Sequence, residues 1–259
     1  MTIDHPIPFL VAHRGYPVCY PENTLVGYEV AIQAGACYVE LDIQLSARHT
    51  PFLCHDDNLK RLTGIDQNIT ELEDEVIRTL SIAYPKPSID SGLSPSSART
   101  APIVDLLTFC ELLKKWPKVK AFVEIKSESI VKFGLELTVE SILQVLQPYR
   151  EQCIIISFDW RAVSLARKNG INRIGWVIPR WDIEHENIAY ELAPDYLFCS
   201  IWRIPPVIEE RWKGPWQWAV YTVNDSQTAL HYAQQNIGIV ETDAIGVMLN
   251  DPLLKKNAC

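Results

Sequence analysis

No run of lysine or arginine longer than a pair, such as Lys255-Lys256, occurs in this 259-residue chain, whose formal net charge is −8 and whose pI is near 5.3. That excludes a nucleic-acid partner, which needs a basic patch to meet the phosphate backbone. CxxC and zinc-like spacings are also missing. The seven cysteines, at 19, 37, 54, 110, 153, 199 and 259, are scattered and odd in number. They read as small apolar strand residues in a reducing compartment. The first apolar run ends at His13 with no basic segment before it. Neither a signal peptide nor a transmembrane span is expected, hence no stable membrane insertion and a cytoplasmic location. Repeats and linkers are absent too, so the 47% hydrophobic content is read as the core of one domain over 1–259. Nothing in the sequence fixes an oligomeric state.

What is present is alternation. Short β-branched runs near 9–13, 38–45, 51–55, 121–126, 153–158, 173–178, 196–201, 217–223 and 239–242 predict strands. Amphipathic stretches near 22–35, 70–80, 103–116, 130–149, 159–169, 186–192, 206–211 and 226–236 predict helices between them. If 51–55 folds back on 38–45 as a hairpin, eight strands remain for a closed ring. The predicted fold is therefore an α/β (β/α)8 TIM barrel. Residues 57–101 form a small insertion after the second barrel strand, and the Pro- and Ser-rich stretch Pro85 to Arg99 within it reads as a surface loop. Excursions of this kind lie over the catalytic face of a barrel.

The polar residues that interrupt the apolar runs fall at predicted strand ends, where a barrel keeps its chemistry. His13 and Arg14 close the first strand, Glu40 and Asp42 alternate in the second, His55 closes its hairpin partner, and Glu124 and Lys126 alternate in the third. Alternation turns Glu40 and Asp42 to one face, where their charges must be neutralised. Three carboxylates without a nearby cysteine pair suit a hard divalent cation, Mg2+ or Ca2+. Two flanking histidines can act as general base and general acid, and Arg14 with Lys126 can clamp a phosphate. Taken singly, each group has an ordinary reading: a capped turn, an exposed strand face, an intrastrand ion pair. All of those readings would have to hold together in one chain.

The strings VAHRG, PENT, VELDIQLS, LCHDDNLKRLTG, APIVDLLTFCELL, FVEIK, VYTVND and GIVETD, in this order from near residue 9 to near 243, resemble the glycerophosphodiester phosphodiesterase family. The resemblance implies metal-dependent hydrolysis of a small glycerophosphodiester to glycerol 3-phosphate and an alcohol. Attack by the neighbouring glycerol hydroxyl would give a cyclic phosphate that water then opens. Residue by residue, it implies Glu40, Asp42 and Glu124 as metal ligands and His13 and His55 as the acid and base pair. Arg14 and Lys126 would hold the phosphoryl oxygens, and Tyr221 would take a substrate-binding position. The sequence does not fix which histidine is acid and which base; the expected division has His13 as base and His55 as acid.

The chain also departs from that pattern. Tyr221 stands where tryptophan is common, with Trp218 on the opposite strand face. Ala244-Ile245-Gly246 replaces a proline soon after Asp243, and Arg48-His49-Thr50 replaces an Asp-Gly turn, with His49 an exposed turn residue. Asn23 reads as a helix-start residue. Tyr16, Tyr20, Trp176, Trp181 and Trp202 either line a pocket for the alcohol or are core. His5, His185 and His231 read as solvated or structural. Two further readings stay on the table: a lysophospholipase D-type enzyme acting on lysophospholipids, and a non-catalytic phosphate-binding barrel.

Overall fold

Period-two alternation along the strands separates two apolar surfaces, one facing inward and one facing helices. A computed structural model of the chain describes residues 6–84 and 100–254; His5, most of the 85–101 stretch, the Lys255-Lys256 pair and Cys259 lie outside the described residues. The strands are β1 Phe9–Ala12, β2 Tyr38–Leu45, β3 Pro51–Leu53, β4 Ser81–Ala83, β5 Thr100–Pro102, β6 Lys120–Ile125, β7 Cys153–Ser157, β8 Ile174–Val177, β9 Tyr196–Ser200, β10 Gln217–Tyr221 and β11 Ile239–Thr242. Eight of them pair in parallel in the order β1-β2-β6-β7-β8-β9-β10-β11, and β11 returns to β1 to close the ring. The protein is a (β/α)8 barrel.

Val11, Phe122, Ile154, Ile156, Phe198 and Ile239 fill the barrel interior, whereas Leu10, Ala12, Leu41, Ile43 and Val123 pack outward against the helices. The same alternation carries the inward rows of β1, β2, β6 and β11 from apolar residues near their starts to charged ones near their ends. Hairpin strand β3 pairs antiparallel with β2, Ile43 facing Leu53, as expected for 51–55.

The expected helices hold with adjusted ends. The first is Leu25–Gln33 and not 22–35, because Asn23 takes a left-handed φ of 56° before it. The expected helix 130–149 is broken at Gly134 (φ 88°) into Ser127–Phe133 and Leu135–Leu146. At 206–211 only a single 3-10 turn, Ile208–Glu210, forms. Aromatics fill the wall beside it: Trp181 stacks 4.5 Å from Trp212 and 5.5 Å from Trp218. Buried Arg211 pins this segment by donating to the backbone oxygens of Pro205 and Gln235. Two short helices, Lys60–Thr63 and Ile245–Asn250, and the antiparallel β4–β5 pair were not expected from periodicity. Between Leu59 and Ile103 the insertion has its own apolar cluster, including Leu62, Ile69, Ile77 and Ile82. Among the described residues no helix is long and apolar enough to cross a membrane.

Candidate active site

At the carboxyl end of β1 the chain turns through Arg14 (φ 53°) and Gly15 (φ 90°). Glycine is required at the second position, since a Cβ there would lie 2.9 Å from the backbone carbon of Gly27. The turn aims the Arg14 backbone N–H at Glu40 Oε2, 3.1 Å away, and its Nε at Asp42 Oδ2, also 3.1 Å away. Glu40 and Asp42 lie one pleat apart on the inward face of β2, and the β2–β6 register sets Asp42 beside Glu124. Carboxylate oxygens of Glu40, Asp42 and Glu124 all fall within 4.8 Å of one another. Lys126 donates to Glu124 Oε1 at 2.9 Å and lies 3.3 Å from Asp42 Oδ1. Five of the seven residues expected at strand ends, Arg14, Glu40, Asp42, Glu124 and Lys126, thus meet in one cluster.

The electrostatics are unbalanced. Glu40, Asp42, Glu124 and a fourth carboxylate, Glu241, are buried, against the two cations Arg14 and Lys126. Burial, with Asp42 and Glu241 adding repulsion, pushes the Glu40 carboxyl well above its ordinary range. Glu124 is likewise raised by burial. Asp42, although buried, is held well below the ordinary carboxylate range by Arg14 and Lys126. Glu40 Oε1 is buried and accepts no hydrogen bond. A closely spaced oxygen-donor triad with an unpartnered ligand atom and an excess of negative charge fits a hard divalent cation.

Each histidine is held by an aspartate. His13 Nδ1 lies 2.7 Å from Asp243 Oδ1, and its Nε2 lies 3.9 Å from Glu40 Oε2. Burial pulls the His13 imidazole down, but the Asp243 hydrogen bond and the charge of Glu241 outweigh it, so its pKa is raised. His55 Nδ1 lies 2.6 Å from Asp56 Oδ1. Cys54 N–H donates to the Asp42 carbonyl, which brings the hairpin end beside β2. Asp56 continues to Arg61 (2.6 Å), and Arg61 grips Glu22 with both terminal nitrogens (2.7 and 2.8 Å). Glu22 in turn accepts from Arg14 at 3.1 Å. Through Arg61 the insertion thus reaches the rim of the site. A cleft of about 240 Å³ lined by His13, Arg14, Pro17, Val18, Glu22 and Asp243 opens there.

Several roles were not legible beforehand. Asn23 is not a helix cap: its buried amide donates to Asp42 Oδ2 at 3.0 Å and its oxygen accepts from the Asp42 N–H and from Tyr28. The left-handed φ that delays the start of the expected helix is what turns Asn23 inward. Asp243, Asn224 and Glu241 sit in the VYTVND and GIVETD strings, whose alternation on β11 was the available signal. Tyr221 lies on the inward side of β10 against the barrel interior, and burial raises its phenol. Trp218 packs outside with Trp181 and Trp212. Trp176 is fully buried, stacked on His185, and belongs to the core, whereas Trp181 stacks on Trp212 and borders a cleft of about 350 Å³ with Ile183, Glu186 and Tyr190. Tyr16 is buried against Gly246, whereas Trp202 is 92% exposed on the loop after β9. His49 is half-buried, its ring edge-on to Phe133.

Residues 13–252 match the Glycerophosphoryl diester phosphodiesterase family. The chain belongs to that family. Among similar proteins, a glycerophosphodiester phosphodiesterase of Bacillus altitudinis is 26% identical over 160 residues, 61% of this chain and 61% of its own length. Glycerophosphodiester phosphodiesterase domain-containing protein 4 of Macaca fascicularis is 47% identical over 60 residues, 23% of this chain but 10% of that protein. This family member thus spans only a small part of the mammalian relatives it matches. In fold it is similar to a phosphodiesterase of Oleispira antarctica solved with the product sn-glycerol-3-phosphate (TM-score 0.75, 22% identity, 93% of this chain and 95% of that one). It is also similar to a glycerophosphodiester phosphodiesterase of Thermotoga maritima (TM-score 0.71, 23% identity, 95% and 98%).

Proposed function

We propose that the chain hydrolyses small glycerophosphodiesters to glycerol 3-phosphate and an alcohol, using a divalent cation, Mg2+ or Ca2+, held by Glu40, Asp42 and Glu124. The observation that carries this reading is the juxtaposition, in a barrel of this family, of that carboxylate triad with two cations, buried Lys126 and half-buried Arg14, and two aspartate-held histidines. The product bound by the Oleispira phosphodiesterase supports the same substrate class. A cation in the triad would offset the surplus charge and polarise a phosphoryl oxygen.

In this reading Arg14 and Lys126 bind the non-bridging phosphoryl oxygens and disperse the charge that develops on them. His13 and His55 divide the proton transfers. One removes the proton of the glycerol hydroxyl next to the phosphodiester as that oxygen attacks phosphorus. The other delivers a proton to the departing alkoxide, which is a poor leaving group unprotonated. The reverse pair of transfers lets water open the cyclic phosphate. Asp243 and Asp56 fix the ring orientations, and Tyr221 borders the substrate. The raised pKa of His13 favours the protonated ring at the start of the cycle, and so the acid role in the first step.

Turnover of glycerophosphocholine that is abolished by EDTA and restored by Mg2+ or Ca2+ is the expected result. His13→Ala and His55→Ala should each lower it by roughly 10²- to 10⁴-fold. Undiminished hydrolysis in either variant, or in EDTA, would sink the reading. A lysophospholipase D-type activity has one observation in its favour: Trp202, on the loop after β9, and Ile183, which opens the helix after β8, are strongly exposed. Turnover of lysophosphatidylcholine in the same assay tests it.

A further inference from the structure

Glu241 has no role in the scheme above, yet it is among the more costly residues in the barrel. Its side chain is on the inward row of β11, one pleat beyond Ile239 of the barrel interior and one before Asp243. It is only 4% exposed, and its Oε1 is buried without a hydrogen-bond partner. It does not belong to the triad, whose three ligand oxygens are supplied by Glu40, Asp42 and Glu124. Nor does it orient His13, because Asp243 holds the imidazole Nδ1. A buried carboxyl left unpaired destabilises the free protein and persists where a ligand supplies the missing donor.

Its position defines the donor. Register pairs Glu241 with Val11 and Val240 with Val220, so Glu241 lies between Tyr221 on β10 and Val11 on β1, one pleat below His13, whose charge reaches it. His13 in turn stands between β11 and Glu40 on β2. A phosphodiester held by Arg14 and Lys126 on the β2–β6 side would therefore direct its glycerol unit past His13 toward Glu241. Burial pushes the Glu241 carboxyl up to about 8, with Glu124 adding to the rise and His13 opposing it. A carboxyl oxygen left without a donor accepts a hydrogen bond from a hydroxyl, the group that the glycerol unit presents.

We propose that Glu241 is a specificity-determining residue that binds the terminal hydroxyl of the glycerol unit, the one that does not attack phosphorus. This rests on the hydrolytic reading above and names its substrate preference: polyol diesters over diesters of a simple 1,2-diol.

The test compares glycerophosphocholine with the phosphocholine diester of 1,2-propanediol, which keeps the attacking hydroxyl and lacks the terminal one. The unaltered protein should favour the glycerol substrate in kcat/KM by roughly 10- to 100-fold, because its analogue leaves a buried polar group unpaired. Glu241→Ala should bring the ratio close to one, and Glu241→Gln, which retains an acceptor and a donor, should keep part of it. Equal kcat/KM for the two diesters in the unaltered protein overturns the proposal without recourse to any variant. A preference that persists in Glu241→Ala also overturns it. Absence of turnover on both diesters would instead remove the hydrolytic reading on which it rests.

Discussion

Nδ1 of His13 lies 2.7 Å from Oδ1 of Asp243, a residue 230 positions away in sequence. The contact exists because β11 closes the ring against β1, with Ala12 in register with Thr242. Asp243 is itself fixed by Asn224, whose side-chain oxygen accepts from the Asp243 N–H at 2.8 Å. The imidazole is thereby held with Nε2 toward the triad.

Replacing Asp243 by Asn should lower kcat by about 10²-fold, the usual effect of losing a carboxylate that orients a functional histidine. Because Asp243 raises the His13 pKa against the pull of burial, its removal should move the His13-dependent limb of the pH–rate profile to lower pH. An unmoved limb in stopped-time assays between pH 5 and 9 would contradict the assignment.

Cation binding should be visible in stability. Mg2+ or Ca2+ at 100 times its dissociation constant adds about 2.7 kcal/mol, or roughly 5–10 °C in Tm for a domain of this size. Glu40→Gln should abolish that gain. Since it also removes a buried carboxylate that is repelled by its neighbours and has one oxygen unpartnered, the metal-free variant should be no less stable than the metal-free parent. Differential scanning calorimetry with and without EDTA checks both statements.

Gly15→Ala places a Cβ in a left-handed backbone and 2.9 Å from the Gly27 carbon. The expected cost is about 2 kcal/mol or more, read from urea unfolding, with loss of activity because Arg14 shares the turn. A Gly27→Ala exchange, at ordinary φ with its nearest contact at 3.3 Å, should be better tolerated.

Asp105 caps helix Leu106–Leu113 by accepting from the Thr108 N–H at 2.9 Å and also receives Arg78 at 2.9 Å. Burial raises its carboxyl, but the Thr108 and Arg78 interactions dominate and hold it below its ordinary value. A carboxyl depressed on folding stabilises above the unfolded-state value and loses that contribution as pH falls through the folded one. Asp105→Ala should therefore cost about 1 kcal/mol at pH 7. The difference from the parent should shrink below about pH 4. Denaturant titrations at pH 7 and pH 3 measure it.

Much of this was legible in the sequence. Inward and outward rows of a strand differ by one residue, so Glu40 with Asp42 and Glu124 with Lys126 declare a shared polar face before any fold is known. All nine expected strands form, and the hairpin at 51–53 takes its expected partner. Helix ends were less legible, because they depend on single backbone angles: Asn23 and Gly134 end or break helical patterns that side-chain periodicity alone would continue. The wall beside Ile208–Glu210 shows the same limit, since stacked tryptophans replace a helix there.

The sequence by itself determined the eight barrel strands with their hairpin partner, the polar strand ends and the oxygen-only donor set, all local properties carried by residue type and spacing. Only the tertiary structure decided what the carboxylates of β11 and its end serve: Asp243 holds His13, and Glu241 is left with Oε1 unpaired between Tyr221 and Val11. Those pairings follow from ring closure and strand register, which join positions more than 200 residues apart and are fixed by the packing of the whole barrel, not by any one segment.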